Sequence, residues 1–128
     1  MTVAHVALWT RDLPRAAQFW CEFFGAQCGP LYHSTRRPGF TSCFVTLVDG
    51  ACLELMSAPW LDERAPSATE TPGWAHVALS LGSVQAVDVL AAELQKAHFL
   101  LSGPRWTGDG YYEAVGCDPD GNPVEITL

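Results

Sequence analysis

A shift of 71 residues lays this 128-residue chain onto itself without a gap. Ala4-His5-Val6-Ala7-Leu8 falls on Ala75-His76-Val77-Ala78-Leu79, Asp49-Gly50 on Asp120-Gly121, and Leu53-Glu54-Leu55 on Val124-Glu125-Ile126. A repeat of this length marks two copies of one supersecondary unit, each too small to bury an ordinary core alone. The repeat also carries chemistry. His5 and Glu54 stand 49 positions apart, as do His76 and Glu125, so matched positions of the two copies offer two imidazoles and two carboxylates. That is the composition of a divalent-metal site.

The whole chain has the size of one ordinary domain (residues 1–128), and its 48% apolar content is enough to fill a core. A net charge of −7, with 7 Lys and Arg in total, argues against nucleic acid or an anionic membrane as partner, since both require a basic footprint. A small molecule is the expected partner. With no apolar run long enough for a membrane span and no signal-type segment before the first strand-like pattern, the expected location is cytoplasmic. Five cysteines, Cys21, Cys28, Cys43, Cys52 and Cys117, are scattered without a CxxC pair, so free and mostly buried thiols are expected.

Residues 2–10 read as a strand, after which Asp12 is an N-cap with Leu13 and Pro14 in the first turn of a helix. Ala16, Ala17, Phe19, Trp20 and Phe23 recur at helical spacing to Phe24, and Gly25 ends the helix. A strand near residues 27–32 and a hairpin of residues 40–48 with 51–57, turning at Asp49-Gly50, complete a βαβββ order in module 1, residues 1–57. Residues 58–73 read as a connection. Module 2, residues 74–128, repeats the order, with a strand over 73–81, a helix over 83–97, a strand over 99–101 and a hairpin over 110–128 turning at Asp118-Pro119-Asp120-Gly121. The expected class is α+β, two tandem βαβββ modules forming a cup-shaped sheet with helices outside.

Strand parity sorts the faces. A three-residue loop closing on Asp118 and Asn122 sets Glu125 opposite Val115 and Thr127 opposite Glu113, so Tyr111, Glu113 and Glu125 point one way. The matching register in module 1 puts Phe40, Ser42, Phe44, Cys52, Glu54 and Met56 on one side and Val45, Leu47, Leu53 and Leu55 under the helix. His5 and His76 fall opposite Val6, Leu8, Val77 and Leu79, which are expected to face the helices.

These residues resemble the vicinal oxygen chelate superfamily, which includes glyoxalase I, bleomycin-resistance proteins, fosfomycin-resistance enzymes, methylmalonyl-CoA epimerase and extradiol dioxygenases. The carriers are His5-Val6-Ala7-Leu8 with Asp12-Leu13 and the run to Phe24-Gly25, then Leu53-Glu54-Leu55, Ala75-His76-Val77-Ala78, and the terminal stretch from Asp118 to Ile126. The resemblance spans the entire chain. It implies paired βαβββ modules forming a cup, completed by homodimerisation or module exchange, with one divalent ion per site held by His5, Glu54, His76 and Glu125. It also marks a departure from glyoxalase I. Trp9 stands where that enzyme offers an Arg to glutathione, and Ala58 where it has an Asn. Glutathione dependence is therefore not expected, while the metal set is intact.

Two imidazoles and two carboxylates suit Ni, Zn, Co, Mn or Fe alike. Such an ion stabilises an enediolate formed from adjacent oxygens by several kcal/mol, and a carboxylate moves the proton. Glu125 or Glu54 is the candidate ligand and base, with Glu113 as an outer-sphere candidate. The other account of the repeat is that each His hydrogen-bonds its Glu for folding alone. Gathering two carboxylates in one place without a cation costs repulsion and desolvation, which favours metal. Trp9 and Phe44, with Phe40, Met56 and Trp74, have the parity of an apolar substrate pocket, and Arg105 and Tyr111 belong to a polar-aromatic lip over residues 105–112. Arg36 and Arg37 are candidates for an anionic substrate tail, whereas His33 and His98 break the repeat and read as surface residues. The expected function is a metal-dependent lyase or isomerase resembling glyoxalase I. A drug- or metabolite-binding protein of the bleomycin-resistance type and an extradiol dioxygenase are the alternatives.

Overall fold

The computed structural model of the protein describes residues 1–62 and 72–128, so residues 63–71 of the expected connection lie outside the described residues. Two compact units emerge, Met1–Ala65 and Pro66–Leu128. In the first, β1 (Val6–Trp9) leads to α1 (Leu13–Phe24), then β2 (Gln27–Cys28), β3 (Tyr32–His33), β4 (Thr41–Thr46) and β5 (Cys52–Ser57). In the second, β6 (Val77–Ser80) leads to α2 (Val84–Lys96), β7 (Leu100–Trp106), β8 (Tyr112–Cys117) and β9 (Pro123–Thr127). The class is α+β, with one mixed open sheet and one helix in each unit.

Each helix begins on a side-chain cap. Asp12 accepts from the Arg15 amide at 3.0 Å and Ser83 from the Ala86 amide at 3.1 Å, each satisfying a donor that the first turn leaves without a helical partner. Gly25 closes α1 in the left-handed region, φ 61°, and returns its amide to the Trp20 carbonyl. Leu13, Ala16, Phe19 and Trp20 bury one stripe of α1, and Val87, Leu90, Ala91 and Leu94 the equivalent stripe of α2.

The sheets follow one plan. The first runs β1-β5-β4-β2, with β3 also on β4, and the second runs β6-β9-β8-β7. In both, the strand before the helix lies parallel to the last strand, Val6 opposite Leu53 and Val77 opposite Val124. The hairpins close alike. Leu47 donates to Ala51 at 2.8 Å and Asp118 to Asn122 at 3.0 Å, enclosing three-residue loops whose last residue is a positive-φ glycine, Gly50 or Gly121. A third such loop closes Thr107 on Tyr111 through Gly110. Glu125 pairs with Val115 and Thr127 with Glu113, the register expected from the turn.

Two expectations need correction, and a third needs a limit. The strand expected near residues 27–32 is two short strands, because Gly29 and Pro30 interrupt it and Pro30 has no amide to donate. The strand expected over residues 99–101 continues as far as Trp106, so Arg105 is a strand residue paired with Glu113 and the loop shrinks to the Thr107–Tyr111 turn. Two register shifts, the second spanning Gly103 and Pro104, let β7 stay on β8 despite its breakers. Val6 and Leu8 do share the face of the buried Leu53 and Leu55, their register partners, but helix cover does not reach fully over them. The packing of α1 is on β2, β4 and β5, and Val6 remains 36% exposed; α2 packs likewise on β7, β8 and β9.

Among the described residues no helix is long and apolar enough to cross a membrane.

Candidate functional site

Each unit places one imidazole beside one carboxylate. Glu54 sits mid-strand in β5, between Ala7 of β1 and Phe44 of β4, on the face opposite the buried Leu53 and Leu55. His5 immediately precedes β1, and its Nε2 lies 3.5 Å from Glu54 Oε2. Glu125 occupies the equivalent place in β9, between Ala78 and Val115, with His76 Nε2 3.5 Å from its Oε2. The imidazoles are 41% and 43% exposed and the carboxylates 20% and 17%, so the two pairs match in solvation as well as spacing.

The 3.5 Å separation exceeds the usual hydrogen-bond length of about 2.7–3.2 Å. It is the distance between two donors each about 2.1 Å from one ion at a bond angle of about 110°. The spacing within each pair is therefore compatible with two donors on one ion. Among the described residues no group of three or more His, Cys, Asp or Glu side chains able to hold a metal is gathered.

The remaining candidates divide between the two units. Phe44, on the Glu54 face, meets His5 edge-on at 5.3 Å, and Trp9 meets Phe40 edge-on at 6.0 Å. Trp9 and Phe44 are both exposed by more than a third, and Trp74 is almost wholly exposed. Arg37 stacks between Phe40 and Trp60, its guanidinium 5.2 and 5.1 Å from the two ring centres. In the second unit Arg105 binds Glu113 at 3.0 Å and Ser102 Oγ at 2.8 Å, so the outer-sphere carboxylate and the lip arginine are one ion pair. Ser102 escaped the sequence reading because nothing marked it beyond its place three residues before Arg105. Tyr111 is exposed on the Thr107 turn. Tyr112 points the other way and donates to Asp88 of α2 at 2.6 Å, a bond that leads burial and the Asp88 charge in raising its phenol above the ordinary value. His33 and His98 are exposed, as expected.

Asp118 sets the second register. It is buried and accepts from the Asp120 amide at 2.9 Å, the Asn122 amide at 2.9 Å and Asn122 Nδ2 at 2.8 Å. Burial raises its carboxyl above the ordinary value, against the lowering effect of the Asn122 and Asp120 hydrogen bonds.

Two repeated units, each with one helix, one mixed sheet and a His and a Glu at equivalent positions, define a duplicated α+β protein. The chain belongs to the Glyoxalase/Bleomycin resistance protein/Dioxygenase superfamily, whose family model matches residues 2–126. No curated protein sequence matches it. Among solved structures it is similar to a glyoxylase/bleomycin resistance protein/dioxygenase domain from Frankia sp. EAN1pec, at 21% identity and TM-score 0.85, covering 100% of this chain and 97% of that one. It is also similar to the trypanothione-dependent glyoxalase I of Leishmania major, at 20% identity and TM-score 0.73, covering 99% and 86%. A third likeness is to a mutant of a fosfomycin resistance protein from Listeria monocytogenes, complexed with Mn(II) and 1S,2S-dihydroxypropylphosphonic acid, at 17% identity and TM-score 0.71, covering 98% and 90%. At these identities the structures testify to the fold.

Proposed function

We propose that the protein is a metal-dependent lyase or isomerase of the glyoxalase I type, acting on a small substrate with adjacent oxygens. The observation that supports it is the repetition, in both units, of an imidazole and a carboxylate 3.5 Å apart at equivalent strand positions. His5, Glu54, His76 and Glu125 would hold one divalent ion, drawn from Ni, Zn, Co, Mn or Fe. Such an ion supplies Lewis-acid stabilisation of negative charge on the substrate's adjacent oxygens. Proton transfer at the neighbouring carbon falls to a carboxylate, Glu125 or Glu54, which contributes about 10²–10⁴-fold when within hydrogen-bond reach. Glu113 is held by Arg105, and the pair stands ready to orient a polar substrate group. Trp9 and Phe44 offer apolar contact. With Trp9 and Ala58 at the positions noted above, a substrate other than a glutathione adduct is proposed. A cytoplasmic homodimer is the proposed assembly.

The test is metal content after equal exposure to nickel, zinc, manganese and iron, measured for the wild type and for His76→Ala and Glu125→Gln. Stoichiometric metal lost in both variants supports the reading. A wild type that takes up no metal overturns it and redirects the search to small-molecule binding by the bleomycin-resistance type of protein. Oxygen uptake with catechols would instead identify an extradiol dioxygenase.

A further inference from the structure

Cys21 lies in the last turns of α1 and Cys28 in β2, and the reversal at Gly25 brings their sulfurs to 2.7 Å. All five cysteines are free thiols, and no other two sulfurs among the described residues approach in this way. Cys28 is exposed and Cys21 partly so, whereas Cys43, the neighbouring thiol on β4, is buried. The expectation of mostly buried thiols therefore fails, since Cys43 alone is buried and Cys52 and Cys117 are partly exposed like Cys21. Closing the gap to a covalent sulfur–sulfur bond requires an approach of about 0.7 Å, within reach of side-chain rotation. Partial desolvation first, and then the bond to Cys21 and the neighbouring thiols, push the Cys28 thiol up to about 12, and Cys28 can also donate to the Ala17 carbonyl at 3.8 Å.

We propose that Cys21 and Cys28 are a redox-active dithiol, which a low-molecular-weight disulfide converts to an intramolecular Cys21–Cys28 disulfide. One cysteine sulfur, on losing its proton, attacks a sulfur of the small disulfide, breaks its S–S bond and expels one small thiolate, which takes up the proton. The second cysteine then attacks the mixed disulfide, forms the internal bond and expels the second small thiol. Two protein thiols are oxidised and one small disulfide is reduced to two thiols. The bond ties the end of α1 to β2, which lies at the end of the strand order in the first sheet.

The experiment treats the reduced, full-length protein with oxidised glutathione, blocks remaining thiols and digests with trypsin. Residues 16–36 contain no Lys or internal Arg, so Cys21 and Cys28 share one peptide while Cys43, Cys52 and Cys117 fall outside it. The expected result is that this peptide loses two hydrogen atoms and that the Cys43, Cys52 and Cys117 peptides stay unoxidised. Cys21→Ser and Cys28→Ser should each instead retain a glutathione adduct on the remaining cysteine, and Cys43→Ser should close as the wild type does. The proposal is overturned if the wild-type peptide carries glutathione adducts without losing two hydrogens, or if Cys52 and Cys117 oxidise first.

Discussion

Replacing Asp118 by Ala should weaken the second unit through its turn. The substitution removes the acceptor for the amides of Asp120 and Asn122 and for the Asn122 side chain, three bonds of 2.8 to 2.9 Å. At about 1 kcal/mol each, less the desolvation that the buried carboxylate no longer bears, the net loss is about 2 kcal/mol. For a chain of this length the unfolding entropy is about 0.27 kcal/mol per degree, so Tm should fall by about 7 °C. Urea unfolding followed by tryptophan fluorescence gives the free energy directly. A loss below about 0.5 kcal/mol would show that water replaces the carboxylate at no cost and that the turn sequence alone fixes the register. The pH dependence is a second check. Because the folded carboxyl of Asp118 is raised above its ordinary 3.8, the unfolded chain loses that proton first as pH rises. The Asp118 contribution is therefore full below 3.8 and declines as pH climbs through the folded value. Stability of the wild type relative to Asp118→Asn should decrease from pH 3 upward, and a relative increase would refute the assigned direction.

Two other substitutions test the same unit. Gly116→Ala would place a Cβ 3.0 Å from Leu94 Cδ1 and 3.1 Å from the Phe99 carbonyl oxygen, which is fixed by the Cys117 amide; a loss of about 1–3 kcal/mol is expected in urea unfolding. Arg105→Ala should change stability by less than about 1 kcal/mol, because the Arg105–Glu113 pair is largely solvent-exposed on the arginine side. A larger loss would mean that the pair holds β7 to β8 and serves the fold first.

What the sequence disclosed depended on how local the governing physics was. The Asp118 loop was legible because its length and glycine dictate register over a few residues, and with register came the face of Glu125. Equivalent spacing in the first unit made Glu54 and His5 legible in the same way. The continuation of β7 was hidden by Gly103 and Pro104, which break a regular strand but are tolerated where the ladder shifts. The exposure of Val6 was hidden too, since alternation tells which side a residue faces and not how far a helix extends over that side. The Cys21–Cys28 approach needed the left-handed turn at Gly25 and the packing of β2 beside α1, which no thiol spacing motif encodes.

The irregular course of β7 has a consequence for solubility. This strand stands at the end of its sheet order, and a regular edge strand would offer evenly spaced amides and carbonyls to any extended chain that came alongside. Pro104 has no amide to offer, and the register shifts between Leu100 and Ser102 and between Ser102 and Arg105 make the spacing along the strand uneven. A second polypeptide trying to add itself as a further strand meets a row that cannot be matched in sequence, so a defect tolerated within the sheet also guards its rim against templated self-association.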